Sequence, residues 1–94
     1  MPQLSWLPEA LQDLDRLHGF LREKSPTAAC RAMATIRLAA DALEARPEVG
    51  KPVDHDRREW FIAFGAGAYV LRYRIDPDGN PVVIRVWHSR ENRG

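Results

Sequence analysis

The amino-acid sequence predicts an α+β fold: an N-terminal strand, a helical hairpin, then a three-stranded antiparallel meander, in the order β-α-α-β-β-β with the helices on one face of the sheet. Two stretches of helical periodicity meet at Ser25-Pro26, and two stretches that alternate at every residue flank Asp78-Gly79. No internal repeat or low-complexity segment interrupts this order.

Gln3 to Leu7 is a short strand ended by Pro8, whose missing N–H would have no partner in the first turn of a helix. Leu7, Leu11, Leu14, Leu17 or His18, and Leu21 then recur at three- and four-residue steps, with Glu9, Gln12, Asp13, Asp15, Arg16 and Arg22 elsewhere on the helix. Glu9 and Asp13 near its start, and Arg22 and Lys24 near its end, complement the helix dipole. Ser25 supplies an N-cap and Pro26 a first helical residue, so a second helix runs from Pro26 to about Ala45. Its apolar stripe is Ala29, Met33, Ile36, Ala40 and Leu43. Arg46-Pro47 ends that helix, and Glu48 to Arg57 reads as a polar loop. Trp60 to Phe64 is a strand and Gly65-Ala66-Gly67 a turn. The closing hairpin turns at Asp78-Gly79, where glycine supplies a positive φ without a Cβ clash.

Parity then sorts the side chains of the hairpin. Tyr69, Leu71, Tyr73 and Ile75 share one face, and Val70, Arg72 and Arg74 the other. In the last strand Val82, Ile84 and Val86 share one face, and Val83, Arg85 and Trp87 the other. Superposing the apolar faces gathers Arg72, Arg74, Arg85 and Trp87 on one cationic surface, extended by Arg90 and Arg93. Such a surface suits an acidic partner segment or nucleic acid. It also suits an ordinary solvated face, since antiparallel sheets commonly leave one side in water with cross-strand ion pairs. His88 lies two residues beyond Val86 and therefore points toward the apolar side. Trp6 and Trp60 read as core anchors, and Arg58-Glu59 as an ion pair or a support for the preceding loop.

Composition narrows the classes. Ninety-four residues with 45% hydrophobic content form one domain, residues 1–94, and a net charge of +1 excludes nucleic-acid binding through bulk charge alone. Cys30 is the sole cysteine, so no internal disulfide forms, and its alanine neighbours predict a small buried residue. Asp54-His55-Asp56 could recruit a metal on composition alone, but no second spaced cluster accompanies it, so neither metal nor cofactor is expected. No apolar run approaches the ~20 residues that span a bilayer, and the N-terminus has no signal-peptide pattern, so the expected location is cytoplasmic.

Beyond these patterns, Trp6 with Ala10 and Asp13-Leu14, then Arg58-Glu59, Tyr69-Val-Leu-Arg-Tyr-Arg74 and Val83-Ile-Arg-Val-Trp-His-Ser-Arg-Glu91 with Arg93, resemble the RelE/ParE family of small bacterial toxins over nearly the whole chain. The resemblance implies a toxin of a type II toxin–antitoxin system, bound by a cognate ParD-like antitoxin in a hetero-oligomer. Members similar to ParE poison DNA gyrase without being enzymes, whereas members similar to RelE cleave messenger RNA in the ribosome. A nuclease would use Arg72, Arg74 or Arg85 for transition-state charge and His88 for proton transfer, a role its imidazole could fill near neutral pH. Ribonuclease relatives commonly use a terminal tyrosine, and none follows Tyr73 here. The expectation is therefore a ParE-like gyrase inhibitor, with a ribosome-dependent nuclease or an antitoxin-binding protein without toxic activity as alternatives. The partner-binding residues expected are Arg58, Arg72, Arg74, Arg85, Trp87, Arg90 and Arg93.

Overall fold

A computed structural model describes residues 3–91, so Arg93 lies outside the described residues. The elements are β1 (Ser5–Trp6), α1 (Pro8–Lys24), α2 (Pro26–Ala45), β2 (Lys51–Pro52), β3 (Arg57–Phe64), β4 (Gly67–Ile75) and β5 (Pro81–His88). They form one sheet in the order β1-β5-β4-β3-β2, with β1 parallel to β5 and the remaining neighbours antiparallel. Ala10, Leu17, Ala32, Ile36, Ala40 and Leu43 of the helices pack on Ile62, Tyr69, Leu71, Tyr73, Val83 and Val86 of the sheet. Trp6 and Trp60 lean on this core, partly buried, as their parity predicts. Among the described residues no helix is long and apolar enough to cross a membrane.

Ser25 does two jobs at the helix junction. Its N–H donates to the Leu21 carbonyl at 2.8 Å, ending α1, while its Oγ accepts the Ala28 N–H at 3.1 Å, starting α2. Cys30, expected among buried alanines, is exposed because Ala29 and Ala32 take the inward positions. The expected loop from Glu48 to Arg57 contains β2, and β3 begins at Arg57 rather than Trp60, since Lys51 and Pro52 pair with Glu59 and Arg58.

A bulge alters the predicted parity of β5. Arg72 lies across from Arg85, but Tyr73 lies across from Val83, so Ile84 is the extra residue. Val83 consequently takes the core position opposite Tyr73, while Ile84, expected in the core with Val82 and Val86, is only half-buried. Val86 and His88 follow the bulge and keep their expected side.

Tyr73 pegs the loop after α2 to the sheet. Its hydroxyl donates to the Pro47 carbonyl at 2.7 Å and accepts the Gly50 N–H at 2.8 Å. A Cβ at residue 50 would lie 2.5 Å from that oxygen, so the ring requires glycine there. Gly79 meets a demand of a different kind, at φ 86° in the β4–β5 turn.

The short β1 leaves most of the outer side of β5 without a strand neighbour, and α1 closes the gap. The Leu7 N–H donates to the Val83 carbonyl at 2.9 Å, and three residues further along β5 the Val86 N–H donates to Asp13 Oδ2 at 2.9 Å. Arg85 clamps the same carboxylate through Nε at 2.7 Å and Nη2 at 3.0 Å, and Arg16 reaches Asp13, the Val86 carbonyl and Glu91. Asp13, expected on the polar side of α1, is 4% exposed, and the inward stripe runs through Ala10, Asp13 and Leu17 while Leu11 faces out. Burial opposes its ionisation and is the largest single influence. The Arg85 hydrogen bond, the Val86 N–H, the Arg85 charge and the Arg16 hydrogen bond together outweigh it and hold the carboxyl below its ordinary range.

Tyr73→Phe leaves the Gly50 N–H and Pro47 carbonyl without their partner and is expected to lower unfolding free energy by about 1–3 kcal/mol in urea denaturation. Asp13→Ala should cost a similar ~1–3 kcal/mol, because Val86 loses its acceptor and Arg85 its counter-charge. The folded pKa of Asp13 is depressed, so its contribution is complete above the unfolded value near ~3.9 and fades as pH falls through the folded value. The stability gap between the wild type and Asp13→Asn should accordingly be widest at neutral pH and narrow below about pH 4.

Candidate partner-binding surface

Strand register lays three rows across the sheet face turned away from the helices. They are Phe61–Val70–Trp87, Glu59–Arg72–Arg85 and Arg57–Arg74–Val82. Arg72 donates to Glu59 Oε2 through Nη2 at 2.8 Å and Nε at 3.1 Å, and its guanidinium carbon lies 4.9 Å from the centre of the Trp87 ring. Ion pair and aromatic contact together hold this side chain in one orientation. Arg74 is half-buried. The Asp76 carboxyl is held below its ordinary range chiefly by the Asn80 N–H, with the charge of Arg74 among the smaller influences.

Arg85 starts on the same face as Arg72 but spends its guanidinium on Asp13 at the sheet edge. Arg58 belongs to neither group. It is in register with Tyr73 and donates to the Glu48 and Gly50 carbonyls at 2.9 and 2.8 Å, so it supports the loop while Glu59 pairs with Arg72.

His88 stands on the helix side, where its ring meets Tyr69 edge-on at 5.2 Å between centroids. Its Nδ1 accepts the Arg90 N–H at 3.1 Å, which places its remaining proton on Nε2 when the ring is neutral. Burial, with a smaller contribution from the Glu91 carboxylate, pushes the Tyr69 phenol up, so that hydroxyl stays protonated at neutral pH. Sequence parity thus brings Arg72, Arg74, Arg85 and Trp87 to one face at the backbone level and sets His88 apart, whereas Arg58 and Arg90, expected with the cationic surface, stand at the loop after α2 and at the helix-side groove.

The helix side holds a feature that the alternation of the strands does not announce. A groove of about 740 Å³ runs between the second half of α1, the β3–β4 turn and the end of β5. Leu17, Phe20, Leu21, Phe64 and Tyr69 give it an apolar floor, with Arg16, Arg90, Glu91 and His88 around them. Phe20 is 56% exposed, with the Lys24 ammonium 4.6 Å from its ring centre. The sequence signal was present in Phe20 itself, a large apolar residue lying off the leucine stripe of α1.

In the β2–β3 loop the side-chain donors of Asp54, His55 and Asp56 lie within 4.8 Å of one another, all exposed. Asp54 already accepts from the Asp56 and Arg57 backbone N–H groups and from Arg57 Nε at 2.8 Å, and these bonds hold its carboxyl well below the ordinary range. A cation there would have to displace Arg57.

With the geometry in hand, comparison with known proteins places the chain. Residues 4–93 match the family described as the ParE toxin of the type II toxin–antitoxin system parDE. The chain is 38% identical to toxin RelE3 of Caulobacter vibrioides over 86 residues, 92% of either chain, and 41% identical to toxin RelE1 of the same organism over 85 residues, 89% of either chain. It is 31% identical to the putative toxin Y4kP of Sinorhizobium fredii over 90 residues, covering 95% of this chain and 90% of that one. A chain of the chromosomal ParDE system from P. aeruginosa shares the fold, with a TM-score of 0.73 at 20% identity over 94% of this chain and 96% of that one. The chain therefore belongs to the ParE toxin family, the toxin half of type II toxin–antitoxin modules.

Proposed function

We propose that the chain inhibits DNA gyrase in the manner of ParE, by binding rather than by chemistry, and that a cognate ParD-like antitoxin neutralises it within a hetero-oligomer. The observation that carries this reading is the separation of His88 from Arg72 and Arg74, the cations of the opposite sheet face. Cutting RNA requires a proton-transfer group beside the cations that meet the developing phosphorane charge. His88 stacks on Tyr69 on the helix side, whereas Arg72 and Arg74 begin on the opposite side and Arg72 is occupied by Glu59 and Trp87. That arrangement supports a docking platform of cations and aromatic rings, which fits an acidic amphipathic antitoxin segment as well as a protein target.

The RelE names of the Caulobacter relatives favour a second reading, a ribosome-dependent messenger RNA endonuclease. It would need His88 and at least one of Arg72, Arg74 and Arg85 to converge on one phosphate.

A gyrase supercoiling assay with the purified chain separates the two. Inhibition is expected at micromolar chain, with Arg74→Glu weakening it at least about tenfold (1.4 kcal/mol) and His88→Ala leaving it unchanged. Undisturbed supercoiling, together with fresh breaks in translated messages mapped by primer extension, would transfer the function to RNA cleavage.

A further inference from the structure

The groove on the helix side carries apolar surface that the core does not use. Leu17, Phe20 and Leu21 stand at three- and four-residue steps along its α1 wall, and Phe64 and Tyr69 complete the floor from β3 and β4. Phe20 lies outside the core cluster and is 56% exposed. The facing wall, Gly65-Ala66-Gly67, is low. Gly65 has open space where a Cβ would stand, and a Cβ on Gly67 would lie 2.8 Å from the His88 ring. A partner can therefore approach this wall closely.

Charge and hydrogen bonding narrow what fits. Among the described residues that line the groove Glu91 is the one carboxylate, and it already accepts from Arg16. Arg90 at the rim, and Lys24 beside the Phe20 ring, have no ion pair among the described residues, which leaves positive charge uncompensated around the apolar floor. The Ala68 N–H and carbonyl, at the strand end beside the groove, are both taken by Ser89, so an extended segment finds no backbone partner there. An apolar ridge at helical spacing instead suits a second helix, whose own side chains interleave with it.

We propose that the groove receives an acidic amphipathic helix of the antitoxin, lying along the second half of α1 with large apolar side chains over Phe20 and Tyr69 and carboxylates toward Lys24 and Arg90. This assignment rests on the antitoxin partnership proposed above and goes beyond it, giving the antitoxin a surface on the helix side, separate from the arginine face. Phe20 is the anchor, an exposed aromatic ring among apolar neighbours that a partner seals from water. The rim cations steer the encounter and make it depend on salt.

Calorimetric titration of the full-length chain with its cognate antitoxin is the test. Phe20→Glu, at an exposed side chain, is expected to raise Kd at least about tenfold. Leu38→Glu, at a residue 71% exposed on α2 and outside the groove, should leave Kd unchanged. Added salt should weaken wild-type binding, and Arg90→Glu should weaken it further and flatten that dependence. The NMR signals of the His88 ring, which lines the groove, should shift when the antitoxin is added, a readout that needs no variant. Full affinity in Phe20→Glu, an equal loss in Leu38→Glu, affinity indifferent to salt, or an unmoved His88 ring overturns the proposal. Loss of supercoiling inhibition in Phe20→Glu with antitoxin affinity kept overturns it too, giving the groove to the target. Antitoxin binding is read without gyrase, so a chain that leaves supercoiling undisturbed but loses the antitoxin through Phe20→Glu sinks the gyrase reading alone, whereas a wild type that binds no antitoxin sinks the partnership and the groove assignment together.

Discussion

The buried Asp13 carboxylate is the contact on which the arrangement of helices and strands depends. A two-residue β1 cannot satisfy the outer side of an eight-residue β5, and an unpaired N–H or C=O in a partly buried position is costly. Asp13 accepts the Val86 N–H and Arg16 approaches the Val86 carbonyl, so α1 supplies through side chains what a longer strand would supply through its backbone. The same contact fixes where α1 lies over β5 and thereby the position of the Leu17–Phe20–Leu21 surface above Tyr69. Edge satisfaction, helix placement and groove are one consequence.

The arginines follow a related logic. Three guanidinium groups start on one sheet face, but Glu59 and Trp87 engage that of Arg72 and Asp13 engages that of Arg85, while Arg74 acts on Asp76 only through its charge. The net potential of the surface is therefore smaller than the count of arginines suggests. What remains is orientation, because charged groups already held in place lose less freedom when a partner arrives. A surface built this way presents shape and charge pattern together.

Much of this is legible in the amino-acid sequence. Ser25-Pro26 announced the helix junction because capping and proline placement are local rules, and the alternation from Tyr69 to Ile75 announced the inward tyrosines because the strand period is two. The illegible parts were those decided by distant residues. The bulge at Ile84 is set by how β5 registers on β4, and nothing in Val82-Val-Ile84 distinguishes three apolar residues in a strand from three around a bulge. Asp13 looked like surface on a dipole argument, although it sits three residues after Ala10 and four before Leu17, squarely on the inward stripe. A lone carboxylate at such a position calls for a buried cation or amide elsewhere in the chain, and the sequence does not say which.

The junction at Ser25 carries a mechanical implication. One residue finishes one helix and opens the next, so the hairpin has no slack between its arms, and a torque applied to α2 passes directly into α1. Because α1 is bolted to the rim of β5, a binding partner that grips either arm pulls on the whole sheet.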